Sequence, residues 1–216
     1  MKNALLVTIL ILFFIPFCLA YTEDNELSLC LKKTNGSYSR MYDCIYLRKE
    51  YYQSQNKKLL KELKSKLTTN DYYMLKNNQT LLSQYIHLVN KGEIRILNDT
   101  MGIMYQTFAE EILLMIHETN FQILSIINSN TYNRNKAKNI EQTKYKLYLI
   151  ELRKKLTPDK YNDIVNSQKA WELYKKDIER SILPMIPTYQ QQKYIKQIIS
   201  EDRTNVIINV NSIFIE

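Results

Sequence analysis

The chain has two histidines, His87 and His117, and three cysteines, of which Cys30 and Cys44 lie outside an apolar amino terminus. Glu110 and His117 stand seven positions apart and so share a helical face, the first requirement of a metal site on one helix. Neither an acid-x-x-His nor a His-Glu-x-x-His arrangement accompanies them, and no third ligand can be named. A surface or core-edge histidine is therefore expected, and no metal is assigned. No serine lies in a nucleophile elbow, and three glycines in 216 residues can hardly supply a phosphate-binding loop. The pattern argues against catalysis, a cofactor or a small-molecule substrate, and towards a protein that acts by binding.

Other residues could bind. Gln79 and Gln168 follow Leu75 and Ile164 at i+4 on apolar helical stripes. An unsatisfied buried amide costs roughly 1 to 3 kcal/mol, so each glutamine is expected to clamp a neighbouring helix, a binding role being the alternative. Trp171 reads as a core anchor, with an interface hot spot as the other reading. Lys57, Lys61 and Lys64 line one face of a helix, and Arg153, Lys154 and Lys155 repeat part of that charge. With Glu62 and Glu151 interleaved, such a row is ordinarily a solvated face. Its functional alternative is a basic surface for an anionic partner: a phospholipid headgroup, a teichoic or nucleic acid, or the carboxylate-lined cleft of a glycosidase.

The ends set the compartment. Residues 1–20 carry Lys2, an apolar run over residues 4–19 and a small residue, Ala20, before the polar Thr22, Glu23 and Asp24. This reads as a cleaved signal peptide rather than a retained anchor, so the protein is expected to be exported, periplasmic or secreted. Its removal takes away Cys18 and one charge, lowering the net charge from +8 to +7. An even pair, Cys30 and Cys44, in an oxidising compartment argues for a disulfide. A loop of about 15 residues closed in this way stabilises by roughly 3 kcal/mol.

The positioning elements are helices, written twice. Residues 67–85 recur without a gap as residues 156–174, an offset of 89. Leu67-Thr68 returns as Leu156-Thr157, Tyr72 as Tyr161, Leu75 as Ile164, Gln79 as Gln168, Leu82 as Trp171 and Tyr85 as Tyr174. No proline stands between Pro16 and Pro158, which favours long helices. Thr68 with Asp71 resembles a capping box, and Thr157 before Pro158 marks the corresponding start. Residues 91–101, with Gly92, read as a connection, and a third helix follows over residues 103–127. The second copy has helices over residues 145–156 and 158–182, a break at Pro184 and Pro187, and a last helix from about Thr188. Its final stretch, residues 206–214, is rich in β-branched residues, a composition compatible with a strand. Laying residues 118–124 on residues 201–207, an offset of 83, argues weakly for helix there instead. The expected architecture is all-α: two tandem three-helix units, residues 21–128 and 129–216, packed as a helical bundle after the signal peptide.

The repeat also carries a resemblance. Leu156-Thr157-Pro158, Gln168-x-x-Trp171 and Tyr174-Lys175, preceded by Cys30 and by Ser39-x-Met41-x-Asp43-Cys44, resemble the signature of the LprI-like lysozyme-inhibitor family, and Asn56 falls where that family has Leu-Asn. The resemblance covers about half of the chain beyond residue 20. It implies an exported, largely helical, non-enzymatic protein whose partner is a lysozyme or an envelope protein. The sequence departs from the signature at Leu82, in place of tryptophan, and at Ile86 and Lys175, in place of arginine.

Overall fold

Helices in this chain stop where a cap or a breaker stands. The computed structural model describes residues 25–100, 102–129 and 144–212. Residues 1–20, and the expected signal peptide with them, lie outside the described residues. Helix α1 (Asn25–Lys32) leads to α2 (Tyr38–Lys66); α3 (Thr69–Val89) passes through a π-turn (Asn90–Ile94) into α4 (Arg95–Thr100); α5 is Gly102–Ser129. Helices α6 (Lys144–Lys155) and α7 (Pro158–Asp177) follow; α7 continues through a second π-turn (Ile178–Ile182) and a 3-10 turn (Leu183–Met185), and α8 is Tyr189–Ser212. The described residues form an all-α bundle with no strand among them.

At eight residues α1 is too short to persist alone. A disulfide joins Cys30 to Cys44 on α2, and Leu27 packs with Ile45, Tyr52 and Leu114. The intervening turn places Asn35 and Gly36 at φ of 50° and 77°, the left-handed region that asparagine and glycine enter most readily. Thr68 caps α3 as the sequence suggests: its hydroxyl oxygen accepts the Asp71 backbone N–H at 3.1 Å and donates to the Asp71 carboxylate at 2.7 Å. Thr157 corrects the parallel expectation, because its side chain makes no capping bond. The acid of the first copy is replaced there by Lys160, which pairs with Asp99 at 3.1 Å. Helix α8 has a capping box of its own, with the Gln191 N–H donating to Thr188.

One further expectation is overturned and one open alternative is decided. Residues 91–100 are helical rather than a connection; Met101 lies outside the described residues. Gly92 is buried there, and a Cβ on it would meet the backbone carbon and oxygen of Asp163 at 3.1 Å. The glycine serves close helix approach, not a turn. Residues 206–212 are helical, not a strand. Val206, Ile207 and Val210 are spaced to fall on one helical face, and all three are fully buried. Tertiary burial thus overrides β-propensity.

Helix α2 packs on α5, α6 on α8, and α5 on α8, while α3 and α7 lie against each other. The α3 and α7 pair is antiparallel: Asn78 meets Asp177 at one end, Gly92 meets Asp163 at the other, and Tyr85 stacks on Tyr174 between them at 6.4 Å. One continuous core runs through both halves, from Leu63, Leu82, Tyr85 and Ile112 to Trp171, Tyr174, Ile195 and Val206. Neither half buries its apolar stripe without the other. Gly92→Ala is expected to destabilise the protein by about 1 to 3 kcal/mol, because backbone atoms of α7 must move to admit the methyl group. Urea unfolding measures this, and a neutral substitution would contradict the close approach.

Candidate functional site

The strongest concentration of polar groups lies inside the bundle. Glu93, in the first π-turn, and Arg203, on α8, form an ion pair at 2.6 Å with side chains 0 % and 1 % exposed. The guanidinium also donates to Gln168 at 2.8 Å and to the Ser167 hydroxyl at 3.0 Å, and Ser167 in turn donates to Glu93 at 2.5 Å. The Tyr85 ring stands 5.8 Å from the guanidinium. Arginine suits this place because its fork serves several acceptors at once. Burial lowers the tendency of Arg203 to hold its proton, but the Glu93 carboxylate outweighs that and keeps the group charged. The Ser167 hydroxyl beside a carboxylate is fully buried, out of reach of any substrate. The cluster holds helices together.

Each glutamine of the repeat does clamp a neighbouring helix. Gln79 and Asn120 exchange amide bonds of 2.9 and 3.1 Å between α3 and α5, while Gln168 accepts from Arg203 and donates to Glu172 at 3.2 Å. Asn120 and Arg203 occupy matched positions when residues 118–124 are laid on residues 201–207. A second matched pair joins Asn128 to Glu62 and Asn211 to Glu151, both at 3.0 Å. Leu82, Trp171, Tyr85 and Tyr174 are buried in the core, and burial raises the pKa of both tyrosines above the usual phenol range. The Lys175 ammonium lies 5.2 Å above the Trp171 ring. Thus the signature residues face inwards, and Trp171 anchors the core. Nothing in the sequence reading singles out Glu93 or Arg203. The available signal is an acid directly ahead of the apolar positions Ile94, Ile96 and Leu97.

Glu110 and His117 also have other work. Glu110 pairs with the buried Lys49 at 2.7 Å, and the His117 Nε2 lies 2.9 Å from the Gln53 amide nitrogen, which donates to it. Burial and the nearby Lys49 push the His117 pKa down to about 4, so the ring is neutral. His87 is exposed. Among the described residues no group of three or more His, Cys, Asp or Glu side chains could hold a metal ion. One α5 carboxyl, Glu111, is buried and has its pKa raised by desolvation to about 7.

Lys57, Lys61, Lys64, Arg153, Lys154 and Lys155 are all exposed. The first three stand on α2 and the last three at the end of α6, two helices that pack on different partners. Among the described residues, no carboxylate lies within ion-pair distance of Lys57, Lys61 or Lys64. The interleaved acids are engaged elsewhere, Glu62 with Asn128 and Glu151 with Asn211.

Arg203→Met is expected to cost about 3 to 5 kcal/mol by stranding the Glu93 charge, and adding Glu93→Leu should restore much of it; chemical unfolding of the two variants compares them. The raised pKa of Glu111 favours its protonated form in the fold, so its contribution is full below about pH 4.5 and lost as pH rises through about 7. His117 acts oppositely, contributing above about pH 6.5 and losing that as pH falls through about 4. Glu111→Gln should therefore make the protein relatively more stable at pH 8 than at pH 4, compared with the parent, in urea titrations at both values. No family model, curated protein or solved structure matches this chain.

Proposed function

We propose that this is an exported, non-enzymatic binding protein that docks an anionic partner through the basic outer face of its helices. One observation carries the reading. The residues of the helical signature, Gln79, Leu82, Tyr85, Gln168, Trp171 and Tyr174, are enclosed or bonded between helices, whereas Lys57, Lys61, Lys64, Arg153, Lys154 and Lys155 stand in solvent. Any contact with a partner then falls to the surface. Export rests on the composition of residues 1–20 and on the Cys30 and Cys44 pair, which suits an oxidising compartment. We further propose that the two halves descend from one duplicated helical unit. The matched bonds Gln79 to Asn120 and Gln168 to Arg203, and Glu62 to Asn128 and Glu151 to Asn211, support that descent.

A second reading, inhibition of a muramidase, rests on the resemblance and on the same projecting cations, since a lysine or arginine fits a cleft lined by paired carboxylates. The net charge of +7 expected after signal removal would steer the protein away from strongly basic lysozymes, so the target would be neutral or acidic. Inhibition assays on lysozymes of differing charge test it, and no inhibition at micromolar protein and low salt would remove it.

For the docking reading, binding to a soluble polyanion such as heparin is measured across a salt series. The logarithm of the affinity should fall linearly with that of salt, and K57Q/K61Q/K64Q should flatten the slope by up to about 3. An unchanged slope would show that these lysines are not the docking surface.

A further inference from the structure

The outer face of α2 is not uniformly basic. Its amino-terminal half exposes Tyr46, Leu47 and Tyr51, at 39 %, 65 % and 43 %, and its carboxyl-terminal half exposes Lys57, Lys58, Lys61 and Lys64. The spacing puts Tyr46, Lys57 and Lys64 in one row and Leu47, Tyr51 and Lys58 in the next, both turned away from the buried Ile45, Tyr52 and Leu63. Leu29 on α1, 55 % exposed, adds to the apolar end: it neighbours Cys30, whose disulfide partner Cys44 lies one turn before Leu47. Cations hold the rings in place, Arg48 lying 4.3 Å above Tyr51 and Lys49 lying 4.4 Å above Tyr46. The acids exposed on these two helices here are Glu26, Asp43 and Glu50; Glu26 stands 3.5 Å from Arg48 and Glu50 3.6 Å from Lys49.

We infer that the α1 and α2 face is a docking surface for an anionic phospholipid bilayer, with Leu29, Tyr46, Leu47 and Tyr51 entering the headgroup region and the lysines meeting lipid phosphates. The inference rests on the basic-face reading above and names its partner. A soluble polyanion would satisfy the lysines and leave Leu29 and Leu47 in water, whereas a bilayer interface accepts both, and tyrosine is favoured at that depth. No described helix is long and apolar enough to cross a membrane.

The test is co-sedimentation of the exported protein with vesicles of phosphatidylcholine alone and of phosphatidylcholine mixed with phosphatidylglycerol, at low and high salt, beside the heparin titration. The parent should bind the anionic vesicles and leave them as salt rises. Neutralisation in K57Q/K61Q/K64Q should weaken vesicle binding about 100-fold, at about 1 kcal/mol for each lysine near the surface. The L47S/Y51S variant alters only exposed side chains and should weaken vesicle binding about tenfold while leaving heparin binding and the unfolding temperature unchanged. Heparin binding without vesicle binding, or undiminished vesicle binding by L47S/Y51S, would overturn the bilayer inference and leave the basic-face reading standing. Failure to bind either would overturn both.

Discussion

Glu93 and Arg203 can lie inside this protein only because they lie together. A single charge in a low-dielectric interior is far too costly to keep, so each dictates the position of the other to within a hydrogen-bond length. Glu93 comes from the turn that follows α3 and Arg203 from the middle of α8, and Ser167 and Gln168 of α7 complete the set. Three helical segments distant in sequence are thereby fixed at one point. An apolar stripe accommodates small shifts against its neighbour, but a buried guanidinium cannot move away from its carboxylate. Gly92, beside Glu93, allows the approach by bringing α7 to within van der Waals distance of the turn.

The same pair shows how the two halves of the chain differ. In the first half the clamp between helices is a neutral amide pair, Gln79 with Asn120, complete within that half. In the second half the matched position is Arg203, which Gln168 alone cannot neutralise. Its counter-charge is drawn from the first half, at Glu93. With the cation Arg203 where the first half has the Asn120 amide, the contact becomes a tie across the molecule. The stacked Tyr85 and Tyr174, matched positions themselves, lie at the centre of the same contact.

The recurring residues and the exposed cations thus occupy different parts of the molecule. Gln168, Trp171 and Tyr174 recur with Gln79, Leu82 and Tyr85 because their spacing builds the seam between helices, and the structure puts them there. Lys57, Lys61 and Lys64 meet solvent, while Glu62 and Glu151, acidic neighbours of the two basic groups in sequence, bond asparagines on adjacent helices. The recurring residues supply the frame, and the exposed cations lie on its outer faces.

The sequence by itself determined the all-α class, the Thr68 cap and the helix starts at residue 158 and near residue 188, which follow from local spacing and capping, and the disulfide partners, which follow from an even cysteine pair beyond residue 20. It misjudged residues 91–100, where Gly92 indicates a break on local grounds, and left residues 206–212 open, where the β-branched run points to a strand and the offset of 83 to a helix. Only the tertiary structure decided these, because a glycine also serves a close helix contact and β-branched side chains also fill a core. The Glu93 and Arg203 pair is the clearest case. Residues 110 positions apart have no periodicity to connect them, and the desolvation that makes their pairing obligatory exists only once the helices have packed.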